Sequence, residues 1–457
     1  MSGIGLMFAF VFAVTIMLLA ISKFKVHPFL ALMGVSLLLA MCVGIPLDRI
    51  PNIIGAGFSN TFASIGIVII FGALIGSILE TTGAALKLAE GVVRIVGHKH
   101  PELAIELMGW IVSVPVFCDS GFVILNPIRK ALSQKTKHSS VAMTVALSAG
   151  LYTSHVLIPP TPGPIAAAGA LGIGHLLLFV IGIGVLVSIP CLVAAYFFAN
   201  HIGRRVKSAE DLEEQTGISY DELLNSFGDL PNGFLSLAPI IMPILAMAMG
   251  SVSAALGWEG CLATVLTFLG APIIALTVGL FFGIILLIRT EKTDTFTSLT
   301  NETLKVVGPI LFITAAGGVL GKVIASAGFV GIMQEHASVL STLGIFFPFL
   351  VSAILKTAQG SSTVAMTTTA GIMGSIAESG SMMHLLGLTS PAAAALTVMS
   401  IGVGSMVVSH ANDSYFWVVT SFGGMKAEDG YKTQTAVTLI MGVSAMSFIW
   451  LLSLLFV

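Results

Sequence analysis

Two carboxylates, one ammonium group and two imidazoles stand inside stretches that are otherwise almost wholly apolar. Asp119 lies in Val116-Phe117-Cys118-Asp119-Ser120-Gly121-Phe122, and Asp413 lies in Ser409-His410-Ala411-Asn412-Asp413-Ser414-Tyr415-Phe416-Trp417. An unpaired carboxylate at mid-membrane costs about 2.5–3.5 kcal/mol or more and tends to take up a proton, so Asp119 and Asp413 are the candidate proton-coupling residues. His155 and His410 titrate near neutrality when unperturbed, which suits proton sharing or a hydrogen bond to a ligand hydroxyl. Lys356 is the one cation expected inside an apolar stretch, a natural partner for a ligand carboxylate or for an acidic side chain.

Uncharged polar groups gather around these residues. Gly360-Ser361-Ser362-Thr363, with Thr367, Thr368 and Thr369 beyond, offers donors and acceptors together, which suits a polyhydroxylated ligand. Ser120, Ser154, Thr161 and Asn412 extend the same inventory, although any one hydroxyl can instead bond back to its own helix. Pro159, Pro160, Pro162 and Pro164 fall within six residues and cannot continue a helix. The chain is expected to unwind there and to start a new helix after Pro164, whose free amides and dipole would attract an anion. Gly360 followed by hydroxyl residues gives the second site a similar tip. The cysteines Cys42, Cys118, Cys191 and Cys261 show no metal-binding spacing; three read as small core residues, and Cys118, beside Asp119, stays open. No cofactor or metal is implied.

The elements that position these groups must be membrane helices. Of 457 residues, 56% are hydrophobic and only 9% charged, and the mean hydropathy is +1.02. That content excludes an ordinary soluble domain. A net charge of −2 without a basic stripe excludes a nucleic-acid partner. Apolar runs long enough for about 30 Å of hydrocarbon fall near 4–22, 27–46, 60–80, 139–171, 174–199, 233–256, 263–288, 305–326, 391–422 and 434–457. The N-terminus lacks a basic n-region and Gly3–Ile21 is long enough to span, so it reads as a first transmembrane helix rather than a cleaved signal. Two interrupted stretches, near 102–127 and 342–377, read as re-entrant hairpins, tolerated at depth only inside protein or along a cavity. With both termini outside, 17 of the 20 Lys and Arg residues fall on the cytoplasmic side, a strong positive-inside bias. The segment 201–232 reads as a solvated cytoplasmic linker.

The chain also repeats itself. Gly72, Gly76 and Gly83 are spaced as Gly317, Gly321 and Gly328 are, 245 residues later. Each set is followed by an amphipathic stretch (84–97 and 329–340), an interrupted hairpin, and a broken span carrying Ser154-His155 or Ser409-His410. The expected fold is therefore an all-α polytopic membrane protein of two inverted repeats, residues 1–200 and 233–457. The hairpins lie near 102–127 and 342–377, the broken helices near 139–171 and 391–422. Inverted repeats with discontinuous helices are an architecture of secondary transporters, whose substrate sits near mid-membrane between the repeats.

These residues resemble the gluconate:proton symporter family, which also includes D-serine and other hydroxy-acid permeases. The resemblance covers essentially the whole chain. It rests on Lys23-Phe24-Lys25-Val26-His27-Pro28-Phe29-Leu30, on Asp119, and on His155 with Pro159-Pro160 and Pro162. Gly360-Ser361-Ser362-Thr363-Val364-Ala365-Met366, Asp413-Ser414-x-Phe416-Trp417 and a basic residue at Lys356 complete it. Ser362 in place of the usual Ala, and Cys118-Asp119-Ser120 in the first hairpin, depart from the pattern at the expected pocket. The resemblance implies an elevator-type transporter, a homodimer in a bacterial inner membrane, and a symporter for gluconate or a related sugar acid. On that reading Ser120, Ser154, His155, Thr161, Lys356, Gly360, Ser361, Ser362, Thr363, His410 and Asn412 bind substrate. Permeases for D-serine or glycerate, and a sodium-coupled carboxylate transporter, are the alternatives. An intramembrane aspartyl protease is disfavoured, because neither aspartate has the Tyr-Asp or Gly-x-Gly-Asp context; a passive channel would not need embedded acids.

Overall fold

A computed structural model describes residues 8–9, 12–13, 15–17, 19–20, 23–24, 26–96, 100–114, 116–211, 230–255, 258–327, 343–410 and 413–456. Every regular element among them is helical: α1 (Pro28–Cys42), α2 (Ile50–Thr81), α3 (Ala84–Val96), α4 (Pro101–Val112), α5 (Cys118–Thr136), α6 (Ser140–Leu157), α7 (Pro162–Ala170), α8 (Leu177–Ile202), α9 (Gly233–Ala255), α10 (Cys261–Gly270), α11 (Pro272–Arg289), α12 (Phe296–Ser326), α13 (Phe346–Gln359), α14 (Ser362–Met373), α15 (Pro391–Met406), α16 (Ser414–Phe422) and α17 (Ala436–Phe456). Among the described residues, six helical stretches are long and apolar enough to cross a membrane.

Those stretches are not buried alike. The apolar window of Ser140–Ala170, which contains α6 and α7, is wholly enclosed by protein, whereas those of Gly174–Ile202 and Pro272–Arg289 are 39% and 33% buried. A hydrophobic face left open on α8 and α11 suits lipid, and the enclosed helix is the one whose polar residues need protein around them. Around it pack α4, α5 and α8, while α13 and α17 pack on α15. The second arm of each helix–turn–helix crosses to the other half: α14 lies on α7, and α5 on α16.

The spaced glycines have a packing reason. A Cβ at Gly72 would lie 2.7 Å from the Pro160 carbonyl oxygen, and one at Gly321 would lie 2.4 Å from that of Gly371. Bare backbone therefore lets α2 seat against the proline break and α12 against α14. Gly328 and the stretch 329–340 lie outside the described residues.

Four boundaries differ from the sequence expectation. The run at 263–288 is two helices, because Ala271, which precedes Pro272, is extended at φ −63° and ψ 131°. α2 and α12 begin well before residues 60 and 305, at Ile50 and Phe296, the added part of α12 being polar. The helix after the proline cluster begins at Pro162, not after Pro164. Pro162 and Pro164 both lack an N–H, so this terminus offers an anion few amides. Finally, the start of the expected linker is not solvated. Glu210 accepts from Arg129 Nη2 and Ser140 Oγ (2.7 and 2.6 Å), Asp211 accepts from the Ser140 amide (2.7 Å), and the Ala209 amide donates to Gly424 (3.1 Å).

Candidate functional site

α13 and α14 meet at Gly360, whose φ of +88° turns the chain sharply enough to reverse it. Lys356 lies one turn before that tip and is completely buried. Its Nζ donates to the Gly360 carbonyl, is 2.7 Å from Asp413 Oδ2, and stands 5.6 Å above the Tyr152 ring. The three partners belong to the hairpin tip, the break before α16, and α6. A buried lysine is tolerated because it is paired, bonded to a carbonyl and placed over an aromatic face.

Asp413 is equally well satisfied. Oδ2 also accepts from Ser409 Oγ (2.6 Å), and Oδ1 caps α16 by accepting from the Tyr415 amide (3.1 Å). Ser409 is itself fixed at the start of α17: its amide donates to Thr438 Oγ1 (3.1 Å), and its carbonyl accepts from Thr435 Oγ1 (2.6 Å). Ser409 thus braces the break before α16, with both its backbone groups in use.

An aromatic wall joins this pair to the first half. The Tyr152 and Tyr415 rings are 5.0 Å apart, and the Tyr415 hydroxyl donates to the Ser148 carbonyl (3.0 Å). His155 lies between Tyr152 (6.4 Å) and Phe117 (5.9 Å), with Nδ1 unpartnered, and within electrostatic range of Lys356 and Asp413. Cys118 sits near Lys356 and Asp413 too, and its thiol donates to Asp119 Oδ2 (3.7 Å). The Tyr152 hydroxyl lies near Ser362 but outside hydrogen-bond geometry. Both turns and both helix breaks therefore converge on Lys356 and Asp413.

The residues expected at the site divide accordingly. Lys356, Gly360 and Asp413 are joined directly, His155 stands beside them within electrostatic range, and Ser362 and Asp119 lie at the margin. His410 is half-buried and shares Nε2 with the Thr357 carbonyl (3.3 Å). Ser361 is exposed and caps α14 through Val364 N (3.3 Å), and Thr363 is half-buried on the next position. Ser154 and Thr161 bond back to their own chain, at Gly150 and Ile158 (3.5 and 2.7 Å). Asn412 and the side chain of Ser120 lie outside the described residues.

Sequence reasoning missed Tyr152 and Tyr415, which line the site beside His155 and Asp413. Lys356 is not the only enclosed cation either, since Arg129 is buried as completely. Glu106, on α4, was missed altogether. It is fully buried, and among the described residues neither carboxyl oxygen has a hydrogen-bond partner. A glutamate inside the apolar run 102–127, with no basic residue one turn away in the chain, was the available signal.

Relatives share the whole architecture. A family model described as GntP family permease matches residues 5–455. The inner membrane permease YgbN of Escherichia coli is 33% identical, covering 98% of this chain and 99% of the relative. A gluconate permease of Pseudomonas aeruginosa is 28% identical over 96% of this chain and 95% of its own. The low-affinity gluconate transporter of Escherichia coli is 28% identical over 97% of both. The YdaH transporter of Alcanivorax borkumensis, described as having an unusual topology, matches in fold with a TM-score of 0.61 at 14% identity, over 93% of this chain and 97% of that one. With its enclosed polar helix and open apolar faces, this chain is a multi-pass membrane transporter and belongs to the GntP family of permeases.

Proposed function

We propose that the protein imports a small hydroxy-monocarboxylate, gluconate or a related sugar acid, together with a proton. The observation that carries this reading is the buried Lys356–Asp413 pair at the meeting point of both turns and both breaks. A monocarboxylate entering between the tips is a second anion for Lys356. As it takes the ammonium group, Asp413 loses its cation and becomes a good proton acceptor, because an uncompensated buried carboxylate is costly. Substrate and proton thus favour each other's binding, which is the thermodynamic content of symport. When the substrate leaves, Lys356 returns to Asp413 and expels the proton.

Ser361, Ser362, Thr363 and Asn412 would meet the hydroxyls, with Ser120, Ser154, Thr161 and Gly360 completing the lining. His155 and His410 tune the site, and Asp119 with its Cys118 donor is the companion acid. The relatives named as gluconate permeases support the substrate class. We read the two halves as inverted repeats with re-entrant hairpins. They would move as an elevator within a homodimer of a bacterial inner membrane, with the basic side cytoplasmic.

Purified protein in proteoliposomes tests this. Gluconate uptake should rise with an inward proton gradient and be indifferent to sodium. Uptake that needs sodium and ignores the pH gradient removes the reading. A thermal-shift panel of aldonates, glycerate and D-serine then ranks the substrates.

A further inference from the structure

Glu106 is the titratable group that the pair mechanism leaves unused. It lies on α4, against α6 at a contact so close that a Cβ at Gly150 would stand 2.0 Å from the Glu106 carbonyl oxygen. It is 0% exposed, and among the described residues neither carboxyl oxygen has a hydrogen-bond partner.

Among the described residues, the elements packed on α4 supply no counter-charge. On α6 the titratable residues are Tyr152 and His155, both placed in the aromatic wall. On α8, Cys191 interacts electrostatically with Glu106 but spends its thiol on the Met441 carbonyl (3.6 Å), and Tyr196 and His201 lie further along. On α5, Arg129 is paired with Glu210 at 2.7 Å, Lys130 lies 3.6 Å from the same carboxylate, Asp119 has its Cys118 donor, and Lys135 has an interaction of its own. On α3, Lys87 and Glu90 pair with each other at 2.6 Å, and the side chain of Arg94 lies outside the described residues. A carboxyl in such a place keeps its proton until a route to water opens, since the charged form would be left without donor or cation.

A neutral buried acid becomes a transport group only if its proton has a way out. One turn earlier on α4, on the same face, stands Glu102, with Cβ atoms about 5–6 Å apart by helix geometry. Glu102 is 4% exposed and is bonded at 2.6 Å to Nδ1 of His138, whose side chain is 42% exposed. Burial thus falls stepwise from Glu106 through Glu102 to His138.

We propose that Glu106 binds a second transported proton, released through Glu102 and His138. This rests on the proton-coupled reading above and deepens it. The Glu106 carboxyl O–H breaks, its proton passes to the Glu102 carboxylate, and a proton leaves to water from His138. Glu106 crosses neutral with the loaded carrier and returns charged with the empty one. Two protons and one monoanion then move one net positive charge per cycle, so import becomes electrogenic.

The test uses the full chain in proteoliposomes, with gluconate as the probe. Glu106→Gln imitates the protonated state permanently. In the wild type, an interior-negative potential of about 100 mV should raise accumulation about fiftyfold. Glu106→Gln should keep its response to the pH gradient and lose the response to potential. His138→Gln should slow proton entry severalfold without changing stoichiometry, and unchanged entry removes the exit route. A wild type that responds to pH but not to potential, or a Glu106→Gln protein that still responds to potential, overturns the inference while the symport reading stands. A wild type indifferent to the pH gradient defeats the symport reading itself. If Glu106→Gln fails to fold, Glu106→Asp decides: a potential response with a displaced pH profile supports the proton site, and an unmoved profile refutes it.

Discussion

The two helix–turn–helix pairs carry an embedded charge in opposite ways. In α13–α14, Lys356 is surrounded by acceptors: Asp413, the Gly360 carbonyl and the Tyr152 ring. In α4–α5, Glu106 sits one turn inside the first helix with no acceptor or donor among the described residues. Both first arms are pressed onto a broken helix through a glycine, Gly150 against Glu106 and Gly404 against Phe349. The difference teaches that construction does not dictate chemistry. A paired charge responds to a competitor for its partner, so Lys356 suits an anion. An unpaired acid responds only to a proton.

The sharpest way to break this contrast is Lys356→Met. It strands Asp413 without its cation, and should cost about 3–5 kcal/mol in thermal unfolding and abolish gluconate uptake. Adding Asp413→Asn should recover most of the stability and none of the uptake. Equal stability of the single and double variants would show that the pair is not coupled.

Next are the two glycine contacts. A Cβ at Gly150 would stand 2.0 Å from the Glu106 carbonyl oxygen, and one at Gly404 would stand 2.4 Å from that of Phe349. Both obstacles are backbone, so Gly150→Ala and Gly404→Ala should each cost toward the upper end of about 1–3 kcal/mol. Melting of the purified variants measures this, and an unshifted Tm for either would deny that its arm is seated as described. Ser409→Ala is milder. It removes one of three bonds to Asp413, a loss of about 1.5 kcal/mol, and should move the pH dependence of uptake while leaving folding nearly intact.

The smallest effect lies outside the membrane, at Glu210. Burial pushes its carboxyl up, but Arg129, with hydrogen bonds from Ser140 and Arg129, wins and holds it below the ordinary range. Its contribution to stability is therefore fully present above about pH 4.3 and is lost as pH falls through the lower folded value. The Tm advantage of the wild type over Glu210→Gln should shrink across that acid window. An advantage that grows on acidification would contradict the pairing.

Much of the site was readable from the chain. Lys356, Asp413 and His155 stood out because each is polar within an apolar run, a property that needs only neighbours in sequence. The proline cluster announced a break, and the glycine spacing pointed to close helix contacts now seen at Gly72 and Gly321. What local pattern missed was partnership. Tyr152 looks like an ordinary apolar-run aromatic until Lys356, 204 residues away in numbering, arrives above its ring. Arg129 and Glu210 looked like solvated charges, because their pairing spans 81 positions.

By itself, then, the sequence determined a polytopic helical membrane protein, the interrupted helices and three of its embedded charges, Asp119, Lys356 and Asp413. Each of these follows from desolvation cost, from residues that cannot continue a helix, and from the length of an apolar run. Only the tertiary structure decided that Lys356 is paired with Asp413 while Glu106 is paired with nothing. An embedded charge is expensive wherever it stands, but whether it is cancelled depends on the few ångströms around it. Those ångströms are filled by residues from other helices.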